Sequence, residues 1–424
     1  MAVLRDDLAA WRSRCAARTA RDPRHWAPAL IGLGGGLVLA GVLLTPPWIN
    51  AGLAVAGLGA VLGLSPLLRT PAFAFGAAYS LWVVVSMLAA WSDGIPGSRP
   101  LPPGSAFVWL ATPLVGLGLA GFRARRRTAT VVLAIAVAAV AVALVQFTVG
   151  VGEGFLRIDP AGERLRVARG FSEHHLTFGL ACALLVVCTA QPRTLWAAGA
   201  GCAWAARVVA ALGLAVCGSR AAMLGAVVGL WASFSVRGRR WAVAGLVLAL
   251  VLGGALAARQ YATDPRRFAK MVNLQDGRWP IWRASIALAG ERPMLGLGGK
   301  DAFKLAYPAA FQRANPGAVS EFPNGAPHAH NAALSLATEY GLPALVLQFG
   351  FWLVVLLWLW RHRIEAPDAW RLGLGVASVA FIGGQFEPYP TRVMQGAAIH
   401  AFLGLAIALA LAPPAATKPE STLP

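Results

Sequence analysis

The sequence predicts an all-α polytopic membrane protein, and three observations predict it. Of 424 residues, 57% are hydrophobic and only 13% are charged, where a soluble domain carries about a quarter charged residues. Mean hydropathy is +0.61. Apolar stretches of roughly the 20 residues needed to cross a hydrocarbon core recur along the whole chain. Together these exclude a water-soluble globule, a disordered chain and a secreted disulfide scaffold. Cys15, Cys182, Cys188, Cys202 and Cys217 form no C-x-x-C pair, and four of them lie in apolar stretches, as buried small hydrophobes do.

Twelve stretches qualify as spans: 26–44, 48–68, 71–91, 104–122, 128–149, 173–191, 195–217, 219–236, 241–258, 335–360, 372–387 and 393–412. The first follows an Arg-rich segment and shows no small-x-small cleavage pattern, so it is expected to stay as an anchor and not be removed as a signal. Arg207 falls near the middle of 195–217 and should face the bundle interior or water. With the N-terminus in the cytoplasm, Arg5 to Arg24, Arg69, Arg123 to Arg127, Arg193, Arg237 to Arg240, Arg361 to Arg371 and Lys418 all fall on the inner side. That is the side positive residues of short loops prefer. Losing or adding one span would put the Arg125 to Arg127 and Arg237 to Arg240 clusters on opposite faces. The expected organisation is a cytoplasmic tail at 1–25, nine spans over 26–258, a long outer loop with interfacial helices at 259–334, three spans over 335–412 and an inner tail at 413–424.

The net charge of +19 usually signals nucleic acid or an anionic surface. Here topology absorbs much of it, and nucleic acid is not the expected partner. The outer segments stay basic all the same, and long loops cross regardless of charge. Their cations are either solvated or meet an anion, and a lipid-linked phosphate suits the second reading.

The long outer loop carries the candidate chemistry. Asp276-Gly277-Arg278-Trp279-Pro280 reads as a helix start, since proline is tolerated in the first turn. Trp279, Trp282 and Ile286 then share a face, with Arg283 beside Trp282, as in a helix lying in a membrane interface. Pro293 to Gly299 breaks that helix, and a Pro/Gly/Asn-rich stretch runs from Asn315 into His328-Ala329-His330-Asn331. His330 stands where the loop enters the tenth expected span. An imidazole there can act as general base at neutral pH without a metal, or simply anchor a helix end at the interface. His328 with His330, or His174 with His175, could also bind zinc, but no cysteine or carboxylate pair accompanies either. Glu339, nine residues on, falls opposite His330 on a continuous helix, so orienting a neighbour is its better role; Gly341 returns to the His330 face and leaves room for a helix or lipid tail.

Gly218-Ser219-Arg220 reads as a second helix start, with Ser219 as N-cap. A cation in the first turn opposes its own helix dipole. Free N–H groups plus a guanidinium would cradle a phosphate, and snorkelling to headgroups is the alternative. Arg278 could supply a second fork. The 150–172 loop and its continuation offer Arg164, Arg166, Arg169-Gly170-Phe171 and Glu173-His174-His175, either to add cations over a substrate or as a solvated loop.

These residues, in this order, resemble the bacterial O-antigen ligases and the related O-antigen polymerases and protein O-oligosaccharyltransferases. The resemblance rests on Gly218-Ser219-Arg220-Ala221, on Arg278-Trp279-Pro280-Ile281-Trp282 with Arg292-Pro293-Met294-Leu295-Gly296-Leu297-Gly298, and on His330-Asn331-Ala332-Ala333-Leu334 with Glu339-Tyr340-Gly341. Ala344 stands where the family commonly has glycine. The resemblance implies a GT-C-type, metal-independent glycosyltransferase of the inner membrane that needs no cofactor. It would move a glycan from undecaprenyl pyrophosphate to a lipid A–core hydroxyl on the periplasmic side, with inversion. His330 would act as base, with Arg220 and Arg278 on the pyrophosphate. Arg169, His174, His175, Arg283, His328, Asn331 and Glu339 are the further candidates for binding the substrates. A monomer among membrane lipids is the expected state. Within the family the acceptor separates ligase from polymerase and oligosaccharyltransferase, and a single dominant outer loop favours the ligase. The rival from another class is a twelve-span secondary transporter. Such folds carry internal repeats and mid-membrane sites, and neither is visible in the sequence.

Overall fold

The computed structural model describes residues 2–18, 22–63, 70, 72–149, 156–158, 164–166, 168–172, 174–191, 200–263, 278–320 and 322–412. Glu173, Asp276, Gly277 and the 413–424 tail lie outside them. The described chain is almost wholly helical. Its β-structure is one antiparallel hairpin, β1 (Leu156–Ile158) with β2 (Arg164–Arg166).

Each stretch read as a span contains a helix. In chain order after α1 (Ala2–Ala16) come α2 (Ala27–Gly41), α3 (Pro46–Gly63), α4 (Phe73–Ser92), α5 (Ala111–Gly118) and α6 (Phe122–Val149). They are followed by α7 (His175–Thr189), α8 (Ala200–Val216), α9 (Arg220–Ser235) and α10 (Arg239–Thr263). Next come α11 (Arg278–Glu291) and α12 (Lys300–Ala314), and then α13 (Ala332–Tyr340), α14 (Leu342–Arg361), α15 (Pro367–Gly384) and α16 (Val393–Leu411). Among the described residues five helices are long and apolar enough to cross a membrane: α3, α4, the part of α6 from Arg125, α14 and α16. Shorter apolar helices cover Gly104–Gly118, His175–Thr189, Gly201–Val216 and Arg220–Ser235.

Small residues set the packing. Between α2 and α3 the bare faces of Gly34, Gly52 and Gly59 let the facing backbones touch, and a methyl group at any of them would overlap the partner helix. The axis of the bundle is α16, buried along nearly its whole length. At its middle, His400 Nε2 lies 3.2 Å from the Gln348 amide nitrogen, which donates to it. The Thr112 hydroxyl donates to the His400 carbonyl and accepts from Nδ1, both at 3.0 Å. Every polar atom of this intramembrane imidazole is thereby committed.

The end of the bundle carrying the basic clusters shows a second use for them. Arg125 Nη1 donates to Leu119 O and Ala120 O at 3.1 and 2.7 Å, and Arg12 Nη2 to Leu117 O at 2.9 Å. These guanidiniums cap the last carbonyls of α5. Arg207 does the same for α7: Nε and Nη2 donate to Thr189 O at 3.1 and 3.0 Å. Its place in an apolar helix is explained by the end of the neighbouring helix.

Two expected spans are corrected. The stretch 335–360 is not one helix, because Gly341, at φ 86°, separates α13 from α14. Its missing side chain does not make room for a lipid tail; it admits the backbone of Met294 and Leu295. Through that break runs a clasp. Leu297 N–H donates to Thr338 O, and Gly298 and Gly299 N–H both donate to Glu339 O, at 2.9 to 3.1 Å. Leu342 N–H returns to Pro293 O at 2.7 Å. Ser86 Oγ on α4 donates to Leu295 O, and Trp82 Nε1 donates to Tyr340 O at 3.0 Å. The orphan N–H and C=O groups of a broken helix thus fasten the segment leading into α12 to the bundle. The stretch 372–387 ends early: α15 stops at Gly384, leaving Gln385 to Arg392 as a polar link into α16.

Beyond the clasp, α11 and α12 share their own small core of Ile281, Ala284, Leu288, Phe303, Tyr307 and Phe311. Arg292–Asp93 (2.5 Å) and Arg99–Asp301 (3.0 Å) tie it to the segment after α4. Trp279 and Trp282 pack edge to face at 4.9 Å, while Ile286 and Arg283 point outward from the buried face.

Candidate functional site

The site is a junction of two irregular segments, 327–331 before α13 and 385–392 before α16. Arg392 Nη2 donates to Pro327 O at 2.9 Å, gripping one end of the first segment. At its other end Asn331 caps α13, its Oδ1 accepting from Leu334 N–H at 3.1 Å. The Asn331 amide also reaches Gln385 at 3.4 Å. So Asn331 serves as N-cap and cross-link. His330, just outside the helix, has φ 51°, the single non-glycine positive φ among the described residues. That conformation costs an L-residue about 1–2 kcal/mol. Its backbone N–H donates to His328 Nδ1 at 3.2 Å, and the two rings lie 4.0 Å apart. Phe322 flanks the His330 ring at 6.1 Å.

Charge gathers around these imidazoles. Ligand atoms of His328, His330 and the buried Glu387 all lie within 4.8 Å of one another. Arg278 stands over the Phe386 ring at 5.2 Å, beside Glu387. The His328 ring is held down at a pKa of about 2, by burial first and then by the neighbouring His330, Arg392, His174 and Arg278. Two histidines and a carboxylate could hold a metal ion. The adjoining guanidiniums oppose a further cation and favour an anion instead.

Arg220 opens α9. Gly218 is left-handed (φ 67°), and Ser219 Oγ accepts from Ala222 N–H at 3.3 Å, so the N-cap forms as the sequence predicts. Gly179 on α7 lets Cys217, Ser219 and Ala222 close against it. In the 385–392 link, burial, then Glu387, then Cys217 raise the Tyr389 phenol.

Of the remaining candidates, His174 and Glu339 border the junction and Arg283 does not. His174 caps α7 through Nδ1, which accepts from Leu176 N–H at 3.2 Å, and stacks with His175 at 4.4 Å. Arg169 is held by its backbone: Arg169 and Gly170 N–H donate to Gln146 Oε1 at 3.1 and 3.0 Å. Ala168 N–H adds a bond to Val216 O at 3.1 Å. The segment before α7 is therefore tethered to α6 and α8. Arg283 is exposed, turned away from the buried face of α11. Glu339 is 1% exposed, and because α13 begins only at Ala332 the helical-face argument relating it to His330 does not hold. It accepts from Thr391 Oγ1 at 3.5 Å, against the second segment. Burial pushes its carboxyl up to about 7, with Arg392, Lys300 and Thr391 pulling the other way.

Sequence reasoning passed over Glu387 and Arg392. The available signal was a Pro-rich link, Gln385 to Arg392, bearing opposite charges between two apolar stretches; placing Glu387 inside a span concealed it. Beneath the link, α9, α14 and α15 leave an apolar trough of about 320 Å³ lined by Val228, Trp352, Leu356, Ala377, Phe381 and Ile382.

Fold and site together define a polytopic helical membrane protein with a basic, histidine-containing junction. Residues 205–349 match the family model described as O-Antigen ligase. The matched segment holds Arg220, Arg278, His328, His330, Asn331 and Glu339; His174, Glu387 and Arg392 lie outside it. Among curated proteins none matches the chain.

Proposed function

We propose that this protein transfers O-antigen glycan from undecaprenyl pyrophosphate to a hydroxyl of lipid A–core at the periplasmic face of the inner membrane. The observation that carries this is the meeting of His328, His330 and Glu387 with Arg278 and Arg392, supported by the family match. In the proposed reaction His330 accepts the proton of the acceptor hydroxyl as its oxygen attacks the anomeric carbon. The bond from that carbon to the pyrophosphate oxygen breaks, and its electron pair leaves with the phosphate. Arg278, Arg220 and Arg392 balance the developing charge, a task other transferases give to a divalent ion. Attack opposite the leaving group inverts the anomeric centre. The apolar trough takes the adjoining part of the lipid chain, at the lower end of the roughly 300–1,000 Å³ range of ligand pockets.

This reading includes twelve spans in a GT-C arrangement, both termini cytoplasmic, and the division at 25, 258, 334 and 412. His174, His175 and Asn331 border the substrates; Arg169 and Arg283 are the outlying members of the set. An O-antigen polymerase or protein O-oligosaccharyltransferase would use the same site with another acceptor.

Lipopolysaccharide from a deletion strain, complemented with wild type or His330→Ala and run on a gel, tests the proposal. Core without O-units, polymer stranded on the lipid carrier and no rescue by the variant are expected. Core capped by a single unit would indicate a polymerase. An unchanged ladder would point to protein acceptors, or to transport if His330→Ala were also fully active.

A further inference from the structure

We infer that His328 is a positioning residue: its ring nitrogen holds the backbone of His330 in the left-handed conformation that presents the His330 ring to the reacting groups. The inference rests on the transferase reading above. Three features carry it. The His330 N–H donates to His328 Nδ1 at 3.2 Å, which closes a local turn two residues long. His330 is the one non-glycine residue with positive φ among those described, so something must hold it there. The segment is fixed on both sides, by Arg392 on Pro327 O and by Asn331 on the α13 N-terminus and Gln385, which leaves the rotation at His330 to the residues between.

The chemistry of His328 fits the task. To accept an N–H through Nδ1 an imidazole must be neutral, with its proton on Nε2. Its half-buried pose, with Arg392 and Arg278 nearby, disfavours a charged ring. A neutral imidazole accepts an N–H well through its unprotonated nitrogen. The pair therefore divides the work: one imidazole for geometry, its neighbour for the proton. Asparagine is the natural substitute, because its carbonyl accepts the N–H two residues on in the same kind of turn.

The test uses purified full-length protein in nanodiscs, with an undecaprenyl-pyrophosphate-linked glycan and lipid A–core as substrates. His328→Leu fills the space without an acceptor, and kcat should fall roughly 10- to 100-fold with KM unchanged, as for a displaced catalytic group. His328→Asn should recover at least about half of the parent kcat, because the turn is restored. A second readout does not depend on turnover. With histidines 15N-labelled, and only seven in the chain, the His330 ring signals should move in His328→Leu and return in His328→Asn. The inference is overturned if both variants lose kcat alike, if the loss falls on KM, or if the His330 signals ignore the substitution. A parent that transfers no glycan while the His330 signals follow the pattern would sink the transferase reading and leave the positioning role standing.

Discussion

Two histidine environments in this molecule, one buried and one half-buried, are built to opposite ends. His400, at the centre of α16, sits in regular helix with both ring nitrogens committed to neutral partners, Thr112 and Gln348, and its ring against Phe351 at 5.0 Å. His330 sits in irregular backbone at a positive φ, beside a second imidazole and a carboxylate, with guanidiniums close by. The first arrangement satisfies an intramembrane polar group and joins three helices. The second keeps charge and strain together at one point, which costs stability and is retained where chemistry is done. A histidine inside the fold thus gains meaning from what surrounds it.

The two histidines should part most widely when each is removed in turn. His330→Ala should lower glycan transfer by about 10²- to 10⁴-fold, the usual worth of a general base, with thermal stability close to the parent's. Equal loss of both would place His330 with His400 as architecture. His400→Ala should do the reverse: about 2–4 kcal/mol of stability lost through a cavity and two stranded polar groups, with transfer per folded molecule largely kept. Denaturation in detergent beside a transfer assay reads both.

Next in size is Arg278→Ala, expected to cost about 1.5–3 kcal/mol of binding to the pyrophosphate, seen as a raised KM for the lipid-linked donor. Arg278→Lys should recover only part, since an ammonium lacks the planar fork. An unchanged donor KM in Arg278→Ala would remove that residue from the site.

Glu339 makes stability depend on pH. Its carboxyl is raised from 4.5 to about 7 in the folded protein, so folding disfavours the ionised form. Below 4.5 both states are protonated and nothing is lost; as pH rises toward 7 the unfolded chain ionises first and stability falls; above 7 the deficit is constant. Its full size is on the order of 3 kcal/mol. Glu339→Gln should therefore be more stable than the parent above neutrality and indistinguishable near pH 4, as melting curves across that range would show. The smallest effect belongs to Arg283→Ala. With the side chain exposed, stability should stay within about 0.5 kcal/mol, and transfer should be unchanged. A marked loss of transfer would bring this residue into the substrate path.

Much of the site was legible because its motifs are local. Ser219 as N-cap, the break at Pro293 to Gly299 and the approach of His330 to a helix start each follow from a few adjacent residues. Glu387 and Arg392 were not legible, since their meaning depends on a contact with residues more than fifty positions away, and hydropathy alone assigns Glu387 to the preceding apolar stretch. The Gly341 break was misread for a related reason. Periodicity runs smoothly across it, and only the Met294–Leu295 backbone passing through shows why no side chain fits there.

Composition and periodicity by themselves determined that this chain is a bundle of apolar helices with a basic, irregular segment between them, because burial in a membrane demands internally bonded helices and leaves charge to the connections. Short motifs determined which helix starts carry the cations. Tertiary structure alone decided which polar groups meet: that Arg392 grips Pro327, that Glu387 joins the two imidazoles, and that His400 is a brace. Those pairings are set by how helices far apart in sequence pack, and no spacing along one helix encodes them.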